Sequence, residues 1–507
     1  MLEGKAQSIN EVILGDRLNL EEFIAVVRYN ARVKFSKKYQ KRVKRSRELV
    51  EEWIEEKRVI YGVNTGFGAL SNKVLTGKEI NKLQKNILLS HSTSVGEIMT
   101  EEEVRATILM VLQNAGQGYS GIRIEILEMY KDFLNKGIIP YVPKEGSVGY
   151  LCPEAHIANI LIGRGKAFVD GELYEAETAL QKRNLNTKKL TAKEGLILVS
   201  GTTSTTAMAA VSIYDMIKAV ETADIIGAMS LEVLKGTVKA YDQRLMQVRL
   251  HDEQRETAEN MRNLLEDSEI CQKYKNYRLQ DALSLRCIPQ LHGACKKTLK
   301  DALVTIENEM NSCTDNPIIW PEAEKSEALS GGNPDSSYVG IEMDSACIAV
   351  TSVAKMSERR NNRLIDGNLS ELPWFLIKNP GLNSGLMIPQ YTQAGLLNDM
   401  KTLSHPATID NIPTSGNQED YVAMGYNSAK KAQDIVEKLE YILAIELLSV
   451  YQAHQFIDQE LSPASVCKSV LKELGKTIPV LKEDMYLHPH IEKIKTLIHD
   501  RIILNLK

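Results

Sequence analysis

Four long stretches of the sequence repeat apolar residues at the spacing of an α-helix, and this periodicity constrains the fold more than any other feature. They cover about residues 203–235, 289–312, 340–365 and 427–458. Such lengths are unusual for an ordinary globular helix and suit a bundle that buries a deep core. Strand signals are scarce. The sequence therefore predicts an all-α, long-helix bundle.

Shorter segments carry their own helix signals. Residues 100–114 open with Thr100 and place Glu103 three positions later, which is typical of a capping box before an apolar stripe. The helical pattern resumes over residues 121–135. The charged run 37–58 predicts a solvated helix face with ion pairs four residues apart.

Composition argues against nucleic acid as a partner. The 507 residues carry a net charge of only −4, spread along the sequence, and 6% of them are aromatic. A nucleic-acid interface needs a basic patch, and single-strand binding needs stacking rings as well. A chain of this length also buries a large core without disulfide or metal support.

The sequence favours a cytoplasmic protein. Its first thirty residues lack a cationic segment followed by an apolar one, so no secretory signal is expected. The late apolar stretch 436–451 contains Glu437, Glu440 and Glu446 and is too short and too charged to span a bilayer. The seven cysteines are scattered without a C-x-x-C pair, which predicts reduced, mostly buried thiols and disfavours structural zinc.

Three irregular islands interrupt the helical pattern, at residues 61–72, 140–153 and 366–418, where Gly, Pro, Asn and Ser concentrate. Functional side chains are often found on such loops because a rigid scaffold holds them in place. We expect the chemistry of the protein to lie there.

A series of short motifs runs through these islands and the helices between them. In chain order they are Tyr61-Gly-Val-Asn-Thr-Gly-Phe-Gly68, Ser90-His91, Gly146-Ser-Val-Gly149, Leu151-Cys-Pro-Glu-Ala-His156, Gln280-Asp-Ala-Leu-Ser-Leu-Arg286, Asn311-Ser-Cys-Thr-Asp-Asn-Pro317, Ser357-Glu-Arg-Arg360, Pro380-Gly-Leu-Asn-Ser-Gly385 and Pro413-Thr-Ser-Gly-Asn-Gln-Glu-Asp420. In order and spacing the set resembles the histidine and aromatic amino-acid ammonia-lyase family over essentially the whole chain. The resemblance implies a homotetrameric helical bundle of the fumarase/aspartase-like type, with active sites assembled from several subunits.

The resemblance also implies roles for individual residues. Tyr61 matches the family's catalytic base, and Arg286 matches its carboxylate-binding arginine, with Gln280 and Asn316 beside it. A planar guanidinium suits bidentate binding of a carboxylate.

Two further residues match the histidine-specific pattern of the family. His91 follows Ser90, and Glu419 follows Asn417-Gln418. Phenylalanine-selective members place an aromatic–Leu pair where Ser90-His91 stands. A carboxylate is a strong acceptor for an imidazole N–H. His91 and Glu419 are therefore expected to hold an imidazole ring, with Glu419 either an anchor for the ring or a proton carrier.

The chain departs from the family at the prosthetic group. Family members form an electrophilic methylidene-imidazolone from an Ala-Ser-Gly tripeptide, within the pattern G-S-x-G-A-S-G-D-L-x-P. Here Gly149 is followed directly by Tyr150-Leu151, so the tripeptide is missing and Tyr150 replaces the family's Asp. Three partners of the group differ as well, since Ser200, Leu283 and Pro334 stand where the family has Asn, Tyr and Phe.

These departures lead to an expectation about the leaving group. A trimethylammonium group has no lone pair to add to an electrophile and departs as neutral trimethylamine. We therefore expect elimination of trimethylamine from a histidine betaine, ergothioneine in particular, to give thiourocanate without any cofactor or metal. Leu283 would give apolar room for the methyl groups, Ser200 would contact the substrate, and Tyr150 would face the cation. The sequence does not distinguish ergothioneine from histidine betaine.

Two alternatives stay open. One is an ordinary histidine ammonia-lyase whose cyclised tripeptide is left out of the written sequence. The other is a paralogue that binds a ligand without catalysis. In either case residues 1–507 are expected to form a single ammonia-lyase-like chain. Residues 1–200 would carry loops 61–72 and 146–156, and residues 201–507 would form the central bundle and a C-terminal helical part.

Overall fold

Helices dominate the structure, a computed structural model that describes residues 4–66, 70, 73–75, 77–321 and 326–507. The all-α prediction is confirmed. Part of island 61–72 lies outside the described residues, including Phe67 and Gly68 of the first motif. The described residues form two compact units. One comprises Met1–Val211, Leu303–Met343 and Pro406–Lys430, and the other comprises Ser212–Ala302, Asp344–His405 and Lys431–Lys507.

The first helices of the chain are short to medium in length. They are α1 Leu20–Val27, α2 Lys37–Glu55, α3 Lys78–His91, α4 Glu101–Gly116, α5 Ile124–Lys136, α6 Cys152–Leu161, α7 Ala176–Lys182 and α8 Glu194–Ile197.

Longer helices follow, and they match the four long periodic stretches to within a few residues at each end. In chain order the remaining helices are α9 Thr203–Val233, α10 Gln243–Gln247, α11 Asp252–Leu264, α12 Glu269–Lys273, α13 Leu283–Arg286, α14 Ile288–Met310, α15 Ser337–Ile365, α16 Gly367–Ser370, α17 Met387–Leu403, α18 Gly425–Ala453, α19 Ser465–Leu474 and α20 His488–His499.

The strands are short and pair in small sheets. They are β1 Glu11–Leu14, β2 Arg32–Phe35, β3 Val95–Ile98, β4 Ile138–Pro140, β5 Pro143–Glu145, β6 Lys166–Val169, β7 Glu172–Glu175, β8 Ile318–Trp320 and β9 Glu327–Leu329. Strand β1 pairs with β2 in parallel, while β3–β5, β4–β6–β7 and β8–β9 are antiparallel.

Helix α4 begins as the sequence predicts and lies in the core of the first unit. The Thr100 side chain accepts from the backbone N–H of Glu103 at 3.2 Å, and the Glu103 carboxylate accepts from the N–H of Thr100 at 2.6 Å. Farther along the helix, the buried Arg105 guanidinium donates to the carbonyls of Val26, Val27 and Leu134. These bonds satisfy carbonyl groups near the ends of α1 and α5, which have no partner within their own helices.

Buried charges in the second unit are paired across its long helices. Asp224 on α9 contacts the imidazole of His292 at 2.8 Å and the ammonium of Lys296 at 2.5 Å, both on α14. Arg360 on α15 forms a bidentate pair with Glu446 on α18 at 2.6 and 2.9 Å. An isolated buried charge is costly, so such pairs fix which helix faces meet.

Two predictions for local structure need correction. Island 366–418 is not irregular throughout, because it contains α17, whose Pro389 sits in the first turn, where its missing N–H costs no helical bond. The run 37–58 forms α2, but Arg47 is buried rather than solvated and donates to the carbonyls of Gly121 and Ala192.

The seven cysteines are free, and Cys271, Cys295, Cys347 and Cys467 are buried, as expected.

One fully buried ion pair supports the loop of the Asn311–Pro317 motif. Lys193, immediately before α8, donates to the carboxylate of Asp315, and both side chains are completely buried. Lys193 holds this position with a φ of +66°, in the left-handed region that is unfavourable for residues with a Cβ. The pair therefore ties the backbone before α8 to Asp315, next to Asn316.

Removing the ammonium of Lys193 should destabilise the protein strongly, because the Asp315 carboxylate would stay buried without an opposite charge. We expect Lys193→Met to lower the free energy of unfolding by about 3–5 kcal/mol, measured by urea denaturation. Lys38→Met is the matched control, because Lys38 pairs with Asp16 on the surface and its loss should cost no more than about 1 kcal/mol. Equal losses in the two variants would contradict the importance of the buried pair.

Candidate active site

The altered loop around Tyr150 is held by hydrogen bonds on both sides of that residue. The Thr205 hydroxyl, in the first turn of α9, donates to the carbonyl of Gly149 at 2.9 Å. The N–H of Leu151 donates to the carbonyl of Val199 at 3.1 Å, and the Ser147 hydroxyl donates to the carbonyl of Tyr150 at 3.0 Å. The loop therefore fixes the direction in which the Tyr150 side chain leaves the backbone.

The backbone of this loop is tight as well as anchored. Gly149 has a φ of +156°, and a Cβ built on it would lie 2.7 Å from the hydroxyl oxygen of Ser336, so a side chain there would be strained and would have to displace that hydroxyl. Leu151, the residue before α6, has φ and ψ of +85° and −56°, a strained conformation for a residue with a side chain.

The loop does not fit the family's prosthetic group. A methylidene-imidazolone needs a serine that loses its hydroxyl between an alanine and a glycine, and the continuous segment Gly149-Tyr150-Leu151 offers none of these in that arrangement. The carbonyls of Gly149 and Tyr150 are also engaged by Thr205 and Ser147. No step of the chemistry proposed below passes through that group.

Four side chains from separate parts of the first unit influence one another at this loop. Burial raises the pKa of Tyr150 well above its usual value, and the negative charge of Glu419 and the neighbouring Asp335 and Tyr61 raise it further. Burial lowers the pKa of His91, while a hydrogen bond to the backbone of Ile87 and the charge of Glu419 oppose that shift. Glu419 thus acts on both Tyr150 and His91, and Tyr61 acts on Tyr150. The structure brings Tyr61, His91, Tyr150 and Glu419 together.

Local contacts orient two members of this group. The Glu419 carboxylate accepts from the Thr414 hydroxyl at 2.9 Å, and the two residues also exchange a backbone bond. His91, the last residue of α3, lies 3.0 Å through its Nδ1 from the Ser90 hydroxyl. This contact with Ser90 orients the imidazole ring of His91.

Ser200 and Asn316 belong to the same unit but are held by different contacts. Ser200 is buried, and its N–H donates to the carbonyl of Leu196 at 2.9 Å. The Asn316 amide oxygen accepts from the N–H of Gly331 at 2.8 Å and from the Ser330 hydroxyl at 3.3 Å. Any contact of Asn316 with a substrate would therefore come from its NH₂ group.

Gln280, Leu283 and Arg286 lie in the second unit. The Gln280 amide oxygen, oriented toward the guanidinium, accepts from Nη1 of Arg286 at 2.8 Å and from Nη2 at 3.1 Å. Leu283 begins α13 and is exposed. The amide thus holds the guanidinium in one orientation.

Sequence reasoning missed Thr205, Asp335 and Thr414. Thr414 stands five residues before Glu419 in the same motif, and Asp335 follows the altered Pro334, so their positions in the sequence carried a signal. Thr205 carried none, because its contact with Gly149 depends on the packing of α9 against the loop.

Within the described part of the chain, no group of three or more His, Cys, Asp and Glu residues could hold a metal ion, and no helix is long and apolar enough to cross a membrane.

The fold and the motifs define an all-α carbon–nitrogen lyase. The chain belongs to the aromatic amino acid lyase family, whose model matches residues 18–476. It is 41% identical over 493 residues to the histidine ammonia-lyase of Symbiobacterium thermophilum, covering 96% of each chain.

Two solved structures share this fold. The histidine ammonia-lyase of Trypanosoma cruzi superposes with a TM-score of 0.92 at 33% identity, covering 98% of this chain and 94% of that one. The ergothioneine-degrading enzyme ergothionase of Treponema denticola, in complex with desmethyl-ergothioneine sulfonic acid, gives a TM-score of 0.90 at 27% identity, covering 98% of this chain and 100% of that one.

The expected release of trimethylamine from ergothioneine to give thiourocanate is wrong. Eight relatives that are 38–41% identical to this chain over most of its length are named histidine ammonia-lyase, whereas ergothionase is a structural neighbour at only 27% identity. The missing tripeptide identifies what the loop lacks but does not identify the amine that leaves. The expected contact of Tyr150 with a trimethylammonium group loses its basis with that substrate.

Neutralising Glu419 should lower the pKa of His91 further. A hydrogen bond to the backbone of Ile87 and the charge of Glu419 both favour the imidazolium against the effect of burial, so Glu419→Gln removes one of these two opposing influences. A pH titration of the His91 ring signals by NMR would measure the shift. Glu172→Gln, on the exposed strand β7, is the control and should leave His91 unchanged. An unchanged or raised pKa of His91 in Glu419→Gln would contradict the electrostatic interaction between Glu419 and His91.

Proposed function

We propose that the protein is a histidine ammonia-lyase that releases ammonia from histidine by direct β-elimination. The observation that carries the proposal is the meeting of His91, Glu419, Tyr61 and Tyr150 at one loop, through the effect of Glu419 on both Tyr150 and His91. The names of the relatives support histidine as the substrate.

Glu419 and the imidazole of His91 bind the imidazole ring of the substrate in this proposal. A carboxylate that accepts a ring N–H also favours the protonated ring. A positive ring withdraws electrons from the adjacent carbon and makes its β-proton easier to remove. Activation therefore comes from the ring side of the substrate, without an electrophile at the amine.

Tyr61 is the general base. Its ionised oxygen takes the β-proton, and the electron pair of that C–H bond becomes the new carbon–carbon double bond. The C–N bond of the α-ammonium group breaks, and its electron pair leaves with neutral ammonia. The product is an acrylate conjugated with the imidazole ring, and this conjugation favours the reaction.

Arg286 binds the substrate carboxylate, with the Gln280 amide holding its guanidinium in a fixed orientation. The family resemblance implies a homotetramer with active sites built from several subunits, and we propose this assembly as the active form. Leu283, Ser200 and the NH₂ group of Asn316 would complete the substrate contacts.

The direct test is incubation of the purified full-length protein with L-histidine. The conjugated acrylate is followed by its ultraviolet absorbance, and ammonia is measured independently in the same samples. We expect both products in equal amounts, with turnover that survives pretreatment with borohydride. Borohydride inactivation would contradict direct elimination, and histidine binding without turnover would support a non-catalytic paralogue instead.

Tyr61→Phe should lower kcat by about 10²–10⁴-fold, the usual contribution of general acid–base catalysis, while histidine affinity stays within a few-fold. The change removes the proton-accepting oxygen and keeps the ring. A preparation of this variant made in parallel also reports any contaminating lyase from the host. Turnover close to that of the natural protein would remove Tyr61 from the mechanism.

Arg286→Lys should weaken histidine binding by about tenfold to a hundredfold, because an ammonium cannot reproduce the two parallel bonds of a guanidinium, each worth about 1.5–3 kcal/mol. Arg278→Lys is the matched control, since Arg278 pairs with Glu371 in the same unit at 3.3 Å. Steady-state KM and calorimetric affinity would be compared for both variants. Similar values for the two would place the carboxylate elsewhere.

A further inference from the structure

A cavity of about 380 Å³ lies in the second unit, at the C-terminal end of α18 and beside α19. Tyr451 on α18 and His454 in the turn after it line the cavity, together with Lys468, Leu471 and Lys472 on α19. None of its lining residues belongs to the set assigned to the proposed reaction. Small-molecule sites begin at about 300 Å³, so the cavity is large enough for a ligand of its own.

Two lysines give this cavity a positive charge. Lys468 and Lys472 are one helical turn apart, so their ammonium groups lie on one face of α19 and repel each other. Among the residues that the structure describes, no carboxylate pairs with either ammonium. Asp458 also lines the cavity, but its carboxylate is already paired with Lys273 at 2.8 Å. The two lysines therefore lack the negative charge that an anionic ligand would supply.

A buried imidazole in the cavity lining also lacks a partner. His454 is only 5% exposed, and its Nε2 has no hydrogen bond to any described residue. Oε2 of Glu232 lies 3.8 Å from this nitrogen, beyond hydrogen-bond range. Buried polar atoms are nearly always hydrogen-bonded in folded proteins, so an exception requires an explanation. A ligand in the cavity would provide one.

The imidazole contributes a hydrogen bond to the site, not a charge. Burial lowers the pKa of His454 to about 4, so the ring is neutral near neutral pH. A neutral imidazole has one donor and one acceptor nitrogen. The positive charge of the cavity therefore comes from the lysines alone.

Other lining residues suit the apolar part of a ligand. Leu461 and Leu471 contribute aliphatic side chains, and Tyr451 contributes a phenol ring. The Tyr451 hydroxyl donates to the carbonyl of Ile478 at 3.0 Å, so its proton is already used within the protein. Burying an apolar ring against these side chains would be favourable, while a charged group on the same molecule stays near the lysines.

We propose that this cavity is a second ligand site, which binds a small organic carboxylate with an apolar ring. Lys468 and Lys472 bind the carboxylate, Tyr451 and Leu471 contact the ring, and His454 forms a hydrogen bond with the ligand. The site goes beyond the proposed lyase reaction and does not depend on it. Because the charge and the ring both contribute, a bare anion or a neutral ring should bind less well than a molecule that has both.

The test titrates the full-length protein with 4-hydroxybenzoate near neutral pH, followed by calorimetry. A dissociation constant on the order of 1 mM is expected for so small a probe. Two further probes separate the contributions, since 4-hydroxybenzamide has the ring without the charge and inorganic phosphate has the charge without the ring. Each should bind at least about tenfold more weakly. Equal binding of either one, or no measurable binding of 4-hydroxybenzoate, would overturn the proposal.

Variants of the lysines locate the bound probe. The double change Lys468→Gln/Lys472→Gln should weaken binding of 4-hydroxybenzoate by about tenfold, and both side chains are exposed, so the fold should be unaffected. Lys476→Gln is the matched control, because Lys476 pairs with Glu473 near the end of α19 and does not line the cavity. It should leave the affinity unchanged.

Two changes inside the cavity give independent measurements. His454→Phe keeps a ring but removes both nitrogens and should weaken binding, while Leu471→Trp fills the cavity and should abolish it. Equal affinities in the natural protein and the double lysine variant would overturn the proposal. Displacement of the probe by histidine would do the same, because it would place the probe at Arg286 and the other residues of the proposed reaction. Binding that persists in saturating histidine and is lost in the lysine variant would support the second site, whether or not histidine is turned over.

Discussion

The hydrogen bond from Thr205 to the carbonyl of Gly149 links the first turn of a 31-residue helix to the loop that carries Tyr150. Together with the bond from Leu151 to Val199, it fixes the chain on either side of the phenol. The arrangement of the site depends on this attachment, because Tyr150 lies near Glu419 only if the loop keeps its backbone conformation. Long helices thus contribute more than a core, since one of them supplies an anchor for an irregular segment.

Charge is placed in both units according to the same principle. The buried ion pairs join different segments, as in Lys193 with Asp315 in the first unit and Arg360 with Glu446 in the second, so each pair specifies a contact between elements. Near the site, the Glu419 carboxylate accepts from the neutral Thr414 hydroxyl, and its charge favours the imidazolium of His91. The structural pairs therefore join two opposite charges, whereas the donor to the site carboxylate is uncharged.

The helical periodicity was sufficient to predict the long helices and the start of α4, because those signals are local and strong. Helix α17 within island 366–418 was not predicted, because Pro389 and the surrounding glycines and asparagines are typical of a loop. A proline in the first turn of a helix nevertheless costs no helical hydrogen bond. Site residues in recognisable motifs, such as Tyr61 and Glu419, could be proposed from the sequence, and their roles stay predictions. Thr205 could not, because its role exists only once a helix packs against a loop. The leaving group was predicted wrongly because an absent tripeptide reveals missing chemistry, not the substrate.

Lys193 combines two demands that few side chains satisfy together. Its backbone lies in the left-handed region, where glycine would relieve strain, but its ammonium completes a fully buried pair with Asp315, which glycine would leave unmatched. Arginine would keep the charge, but its larger, planar guanidinium needs space that this fully buried site does not offer. Single substitutions at this position therefore lose either the charge or the fit, and a change becomes tolerable only when Asp315 changes with it. Positions 193 and 315 are consequently expected to change only together.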